Sequence, residues 1–188
     1  DYYRNNIISI RDFYEKFLKR ALYDIGILWE ENKISVATEH LASAIVETIL
    51  NEFYYKYNFS AKSNKKIVLS CVENEYHQIG IKMVSDIFEM NGWQSYFLGA
   101  NTPIYELLQF VKKVKPNLLA ISLSLYFNTP ALEKMIIEIR IVFPDLPILV
   151  GGQAFQHGGM EIIERHNNII FFKDLKSIDT YIKNLNKN

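Results

Sequence analysis

Two textures of apolar and polar positions divide the chain. Up to about residue 58 the apolar positions recur at helical spacing. Phe13, Phe17, Leu18, Ala21 and Leu22, then Ile25 and Leu28, fall on one helix face. Ser35 stands where an N-cap belongs, ahead of Val36, Ala37, Leu41, Ala44, Ile45, Ile49 and Phe53. No strand alternation interrupts these residues, so the front third reads as a helical bundle. A polar, lysine-bearing stretch over 59–66 reads as a linker. From residue 67 the pattern changes to short continuous apolar runs at 67–71, 118–124 and 148–150, which predict buried parallel strands. Between them 78–91 predicts an amphipathic helix closed by Gly92, and 94–99 a further strand. Thr102-Pro103 predicts a helix start, with a cap and a proline at the first helical position. Over 174–185, Leu175, Ile178, Ile182 and Leu185 share the face of a last helix that packs on the sheet. Strands alternating with helices define an α/β class. The organisation predicted is a helical bundle at 1–58, a linker at 59–66 and an α/β domain at 67–188.

The punctuation of the apolar runs carries the chemistry. Glu75-Tyr76-His77-Gln78-Ile79-Gly80 follows the first run, which puts a histidine on the loop at the carboxyl end of a strand. Ligands of open parallel sheets collect on this edge, where loops and helix N-termini converge. Glu75 lies two residues before His77, within reach of one imidazole nitrogen, and a carboxylate there makes the other nitrogen a better metal donor. Gly80 permits close backbone approach just beyond. The run at 118–124 ends in Ser122 and Ser124 where further aliphatics would continue it, and the run at 148–150 is closed by Gly151-Gly152. All three signals fall on the same rim. Cys71, the single cysteine, reads as a small core hydrophobe.

Glu75-x-His77-x-x-Gly80, Ser122-x-Ser124 and Gly151-Gly152, in this order and at these separations, closely resemble the fingerprint of cobalamin-binding domains. Its usual form is Asp-x-His-x-x-Gly, Ser-x-Leu or Ser-x-Thr, and Gly-Gly. The resemblance implies a flavodoxin-like, doubly wound, parallel five-stranded sheet behind an N-terminal four-helix-type bundle. It implies cobalamin bound with its dimethylbenzimidazole tail detached from cobalt, and His77 as the lower axial ligand. Tyr76, Gln78 and Ile79 belong to the same loop. Ser122 would hydrogen-bond the buried benzimidazole, with Ser124 beside it, and Gly151 and Gly152 would line the tail channel. Gln153-Ala154-Phe155 would offer backbone N–H groups at a helix start to the tail phosphate. The chain departs from the usual pattern at Glu75, which adds a methylene to the commoner Asp, and at Ser124, which replaces Leu or Thr.

A second resemblance lies in the bundle. Gly26, Trp29, the Glu39-His40 pair and Ala42-Ser43 resemble the helical cap of cobalamin-dependent light-responsive regulators. That cap sits over the upper face of the corrin, so Trp29, Glu39 and His40 would approach an upper ligand such as 5′-deoxyadenosyl. An indole packs on an adenosyl group, while Glu and His hydrogen-bond its hydroxyls or purine. Some of these photoreceptors carry beside the Trp a His that captures cobalt after photolysis. Here that neighbour is Glu30, a poorer ligand for Co(III).

Composition narrows the reading. Lys plus Arg number 21 and Asp plus Glu number 21, so bulk electrostatics disfavour direct nucleic-acid binding. No apolar run is long enough to span a bilayer and no signal-peptide layout opens the chain, so a cytoplasmic location is expected. The function expected is a sensor binding adenosylcobalamin, with methylcobalamin as the other form, in a homo-oligomer that needs no catalytic turnover. An output domain or partner protein is expected to act with it. The alternative is a corrinoid carrier serving separate methyltransferases. His157 and His166 are expected to be exposed and are given no role.

Overall fold

The structure, a computed structural model, describes residues 8–56 and 63–187. Residues 59–62, half of the expected linker, lie outside the described residues. The chain divides into two compact units, 1–58 and 59–188.

The N-terminal unit is helical. Ser9 caps α1 (Ile10–Phe13) by accepting the Asp12 N–H at 3.1 Å, a π-helical turn (Tyr14–Leu18) follows, and α2 (Lys19–Glu30) continues the rod. After a tight turn with Asn32 in the left-handed region, α3 (Val36–Lys56) runs back, capped as expected by Ser35, whose Oγ accepts the Thr38 N–H at 3.2 Å. The buried stripe is Ile10, Tyr14 and Leu18 against Val46 and Leu50, and Phe13 packs on Phe53 with ring centroids 4.7 Å apart. This corrects the predicted core face, because Phe17, Val36, Leu41 and Ile45 are exposed. The wide π turn returns to one face every four to five residues, so Tyr14 takes the inward position in place of Phe17. The apolar residues of α3 occupy most of its circumference, and periodicity alone does not select a face.

The C-terminal unit is a five-stranded, wholly parallel sheet of order β2-β1-β3-β4-β5, with β1 Lys66–Cys71, β2 Gln94–Gly99, β3 Leu118–Ser122, β4 Ile148–Gly151 and β5 Ile169–Phe171. Helices α4 (Ile79–Met90), α5 (Ile104–Val114), α6 (Thr129–Val142), α7 (Met160–Arg165) and α8 (Leu175–Leu185) alternate with the strands, α4 packing with α8 and α5 with α6. The flavodoxin-like expectation therefore holds. The central strands are buried on both faces, since Ile67, Val68, Leu69, Leu119, Ile121 and Ile148 are all 1% exposed or less. That double burial is why they read as unbroken apolar runs.

Three boundaries differ from those predicted. β1 begins at Lys66, inside the expected linker. Pro103 occupies the N-cap of α5 and no side chain caps that helix, so the proline stands one position earlier than predicted. β3 ends at Ser122, and Leu123 and Ser124 leave the ladder to make contacts of their own. No helix of the described residues is long and apolar enough to cross a membrane.

The strand order places the topological switch point between β1 and β3, which pair with Cys71 opposite Ser122. The chain leaves these two strands towards opposite faces, α4 packing with α8 and α6 with α5, and in open α/β sheets ligands collect at such a point. β4 ends beside it, with Gly151 opposite Ser122. The Gly pair is required by the protein's own backbone. A Cβ on Gly152, whose φ is +123°, would lie 2.0 Å from the Leu123 carbonyl oxygen, and one on Gly151 would lie 2.8 Å from that of Phe172. Gly152→Ala is expected to destabilise the fold by about 3 kcal/mol, read as a lowered midpoint of urea unfolding.

Candidate functional site

Glu75 is the anchor of the rim. The chain leaves β1 at Cys71, turns through Glu73 and Asn74, and buries the Glu75 side chain completely, while the His77 side chain stays 53% exposed. Glu75 Oε1 accepts from the His77 backbone N–H at 3.2 Å and from the His77 ring through Nδ1. Oε2 faces the loop after β3, where it accepts the N–H groups of Ser124 at 3.1 Å and Leu125 at 2.8 Å, with Asn128 Nδ2 at 3.5 Å. Two successive amides aimed at one oxygen form an anion nest.

Burial raises the Glu75 carboxyl, but the His77 ring bond, the Leu125 and His77 amides and the His77 charge outweigh it and hold the group down at about 2. Glu75 is therefore a carboxylate at neutral pH and accepts at every contact. His77 Nδ1 then carries the proton, so the ring's lone pair belongs to Nε2. Burial, reinforced by the Glu75 charge, pushes the Cys71 thiol up to about 12, which leaves it an inert core residue.

The structure brings the predicted rim residues together. Tyr76 is 67% exposed beside His77, and Gln78 Oε1 accepts the Ala100 N–H at 3.2 Å. Ile79 and Gly80 open α4. Ser122 is buried at the end of β3, and Ser124 contributes its backbone N–H to Glu75. Gln153–Gln156 is a single 3-10 turn, a correction to the predicted helix start. Ala154 and Phe155 point into the core, and the Ala154 N–H is directed to the Leu123 carbonyl at 3.3 Å. His157 is exposed as expected, whereas the His166 side chain is only 19% exposed, its Nε2 3.6 Å from Glu133 Oε1.

Trp29, Glu39 and His40 lie in the N-terminal unit, near the turn that joins its helices. Trp29 is 46% exposed on the last turn of α2. Glu39, in the first turn of α3, accepts from Ser43 Oγ at 2.8 Å, and His40 Nε2 is 3.7 Å from Glu39 Oε2.

The donor set fits a metal that arrives already chelated. Among the described residues no group of three or more His, Cys, Asp or Glu side chains can hold a metal ion, so the rim offers one oriented imidazole. One imidazole does not retain a free divalent ion, but it suffices for an open axial position on a macrocycle's metal. The glycines agree. Gly151 and Gly152 are demanded by neighbouring backbone, whereas a Cβ on Gly80 would meet nothing within 4 Å. Gly80 is exposed in the first turn of α4, three residues past His77, so the fold's own packing does not require a glycine there.

Sequence reasoning reached His77 and Glu75 but missed the Ser124 and Leu125 amides, which are type-independent and leave no signal. Asn128, a polar residue after the third strand, proves to be buried with its Nδ2 directed at Glu75 Oε2.

Comparison with known proteins agrees with this geometry. A family model described as B12 binding domain matches residues 65–172, and a second of the same description matches residues 2–53. The chain belongs to the B12 binding domain family. It is 26% identical over 148 residues to the HTH-type transcriptional repressor CarA of Myxococcus xanthus, covering 78% of this chain and 49% of that protein. It is 25% identical over 128 residues to the dimethylamine corrinoid protein 3 of Methanosarcina acetivorans, covering 66% and 59%. The chain thus spans about half the length of the curated relatives it matches. Among solved structures, the monomethylamine corrinoid protein of Methanosarcina barkeri has the same fold, with a TM-score of 0.76 at 15% identity over 97% of this chain and 86% of that one.

The depressed Glu75 group fixes a pH dependence. Its folded value near 2 lies below its ordinary 4.5, so its stabilisation is complete above pH 4.5 and is lost as pH falls from there towards 2. Glu75→Gln, which turns an amide donor towards donors, is expected to lower stability by about 2–4 kcal/mol at pH 7. The deficit should shrink at pH 3, as measured by urea unfolding of both proteins at the two pH values.

Proposed function

We propose that the chain is the sensor module of a cobalamin-dependent regulator, holding adenosylcobalamin base-off with His77 as its lower axial ligand. The observation that carries the reading is the buried Glu75 carboxylate on His77 Nδ1, which presents Nε2 at the switch point of the sheet. Bound adenosylcobalamin supplies a light-labile cobalt–carbon bond. The chain's residues orient and report. Glu75 fixes the tautomer and direction of the imidazole. Gly80 gives clearance beside it, and Ser122, Gly151 and Gly152 border the crevice that would take the detached tail. In the helical unit Trp29 has an exposed flat apolar surface and Glu39 and His40 are polar side chains, groups that would suit an adenosyl ligand. Residues that bind the two forms of the cofactor unequally, by a difference of a few kcal/mol, would move a two-state equilibrium of the chain decisively. Similarity to CarA and CarH, both HTH-type transcriptional repressors, supports a regulatory output through a further domain or partner and through the oligomeric state of this chain.

The second reading, a corrinoid carrier for a methyltransferase, is favoured by the likeness to corrinoid proteins across nearly the whole chain. It uses the same lower half and gives Trp29, Glu39 and His40 no role.

Illumination separates the two. The chain loaded with adenosylcobalamin in the dark is expected to change its sedimentation coefficient after green light, and Trp29→Ala should abolish that change while retaining the cofactor. An unchanged coefficient in the parent chain overturns the sensor. Gly80→Ala is expected to raise the stability of the cofactor-free chain by about 0.5–1 kcal/mol and to weaken cobalamin binding at least about tenfold. Titration by visible absorbance, beside urea unfolding, measures both.

A further inference from the structure

Asn101 follows β2 and straps the histidine loop at three points. Its backbone N–H donates to the Glu75 carbonyl at 2.9 Å, its Oδ1 accepts the Asn74 N–H at 2.9 Å, and its Nδ2 donates to the Tyr76 hydroxyl at 3.3 Å. One side chain thus brackets the three residues that lead into His77. Asn101 and Asn74 both hold left-handed backbone, φ 47° and 67°, a conformation that asparagine adopts more readily than most residues. The next contact follows the same line. Gln78 Oε1 accepts the Ala100 N–H in space that Gly99 leaves open, where a Cβ would lie 2.6 Å from that oxygen. None of these bonds belongs to a helix or to the sheet ladder.

The exposed His77 ring is oriented through Glu75 and through the backbone of 74–78. Glu75 reaches its nest beside β3 only while that backbone holds its turn. On the opposite flank from the nest, Asn101 supplies the side-chain bonds that hold it. We propose that Asn101 is a positioning residue for the axial imidazole, keeping 74–76 in the shape that buries Glu75 and projects His77 from the rim. This rests on the reading of His77 as the axial ligand. Asn74 and Tyr76 are exposed, so water replaces the lost side-chain bonds at small cost. Removing the strap therefore loosens the loop without unfolding the domain.

Asn101→Gly keeps the left-handed backbone and its N–H but removes both side-chain bonds. Asn101→Asp restores them, one oxygen accepting the Asn74 N–H and the other the Tyr76 O–H. The urea midpoint of Asn101→Gly should stay close to the parent's, while the His77 amide, which donates to Glu75, exchanges with deuterium at least about tenfold faster in the cofactor-free chain. Loaded with adenosylcobalamin, Asn101→Gly should show a share of His-off absorbance absent from the parent, and Asn101→Asp should return to the parental spectrum. Parental ligation in Asn101→Gly overturns the proposal, including where exchange accelerates, because the strap then tethers the loop without aiming the ring. If Asn101→Gly does not fold, Tyr76→Phe removes one arm alone and must show the same two effects in smaller measure; parental behaviour there also overturns it. A parent chain without His ligation counts against the proposed function instead, and the exchange rates then decide the strap alone.

Discussion

The rim is organised by a single buried carboxylate. Glu75 carries a charge into a site with no solvent access, and it is tolerated only because donors from two loops converge on it: the His77 ring and amide from its own loop, and the Ser124 and Leu125 amides from the loop after β3. Such a group works as a clamp. It ties the loops after β1 and β3 together at the switch point of the sheet, and it engages one imidazole nitrogen so that the lone pair falls on the other. Removing any donor leaves charge unmatched in the interior, so the geometry of His77 and the stability of the rim are one problem.

Glycine divides the site in a complementary way. At Gly151 and Gly152 the absent side chain is occupied by neighbouring backbone, so these residues shape the crevice wall and are needed whether or not anything is bound. At Gly80 the absent side chain leaves open space and weakens the helix that begins there. The first pair builds the site, and the last yields stability for access. The two proposed readings share the His77 rim and differ in the helical unit, where only the sensor reading gives Trp29, Glu39 and His40 a role.

Much of this was legible in the sequence because it depends on local rules. Strands buried on both faces read as apolar runs, Ser35 stands where a cap is needed, and a carboxylate two residues before a histidine has few ways to avoid it. What escaped depends on chain segments far apart in sequence. The nest that accepts Glu75 is made of backbone amides some fifty residues away, and backbone carries no residue code. The inward position of Tyr14 follows from a π turn that helical spacing does not anticipate, and α3 is apolar on more than one face. The steric need for the Gly pair comes from two backbone carbonyls distant in sequence, those of Leu123 and Phe172, and the residues after it turn into the core.

The central claim is that the imidazole of His77, and not the cofactor's own base, supplies the lower nitrogen to cobalt. Electron paramagnetic resonance of the chain loaded with cob(II)alamin whose dimethylbenzimidazole carries nitrogen-15 tests it most directly. Each cobalt line should split into a triplet from the nitrogen-14 of His77, and His77→Ala should lose that splitting. A doublet from the labelled base in the parent chain would contradict the account.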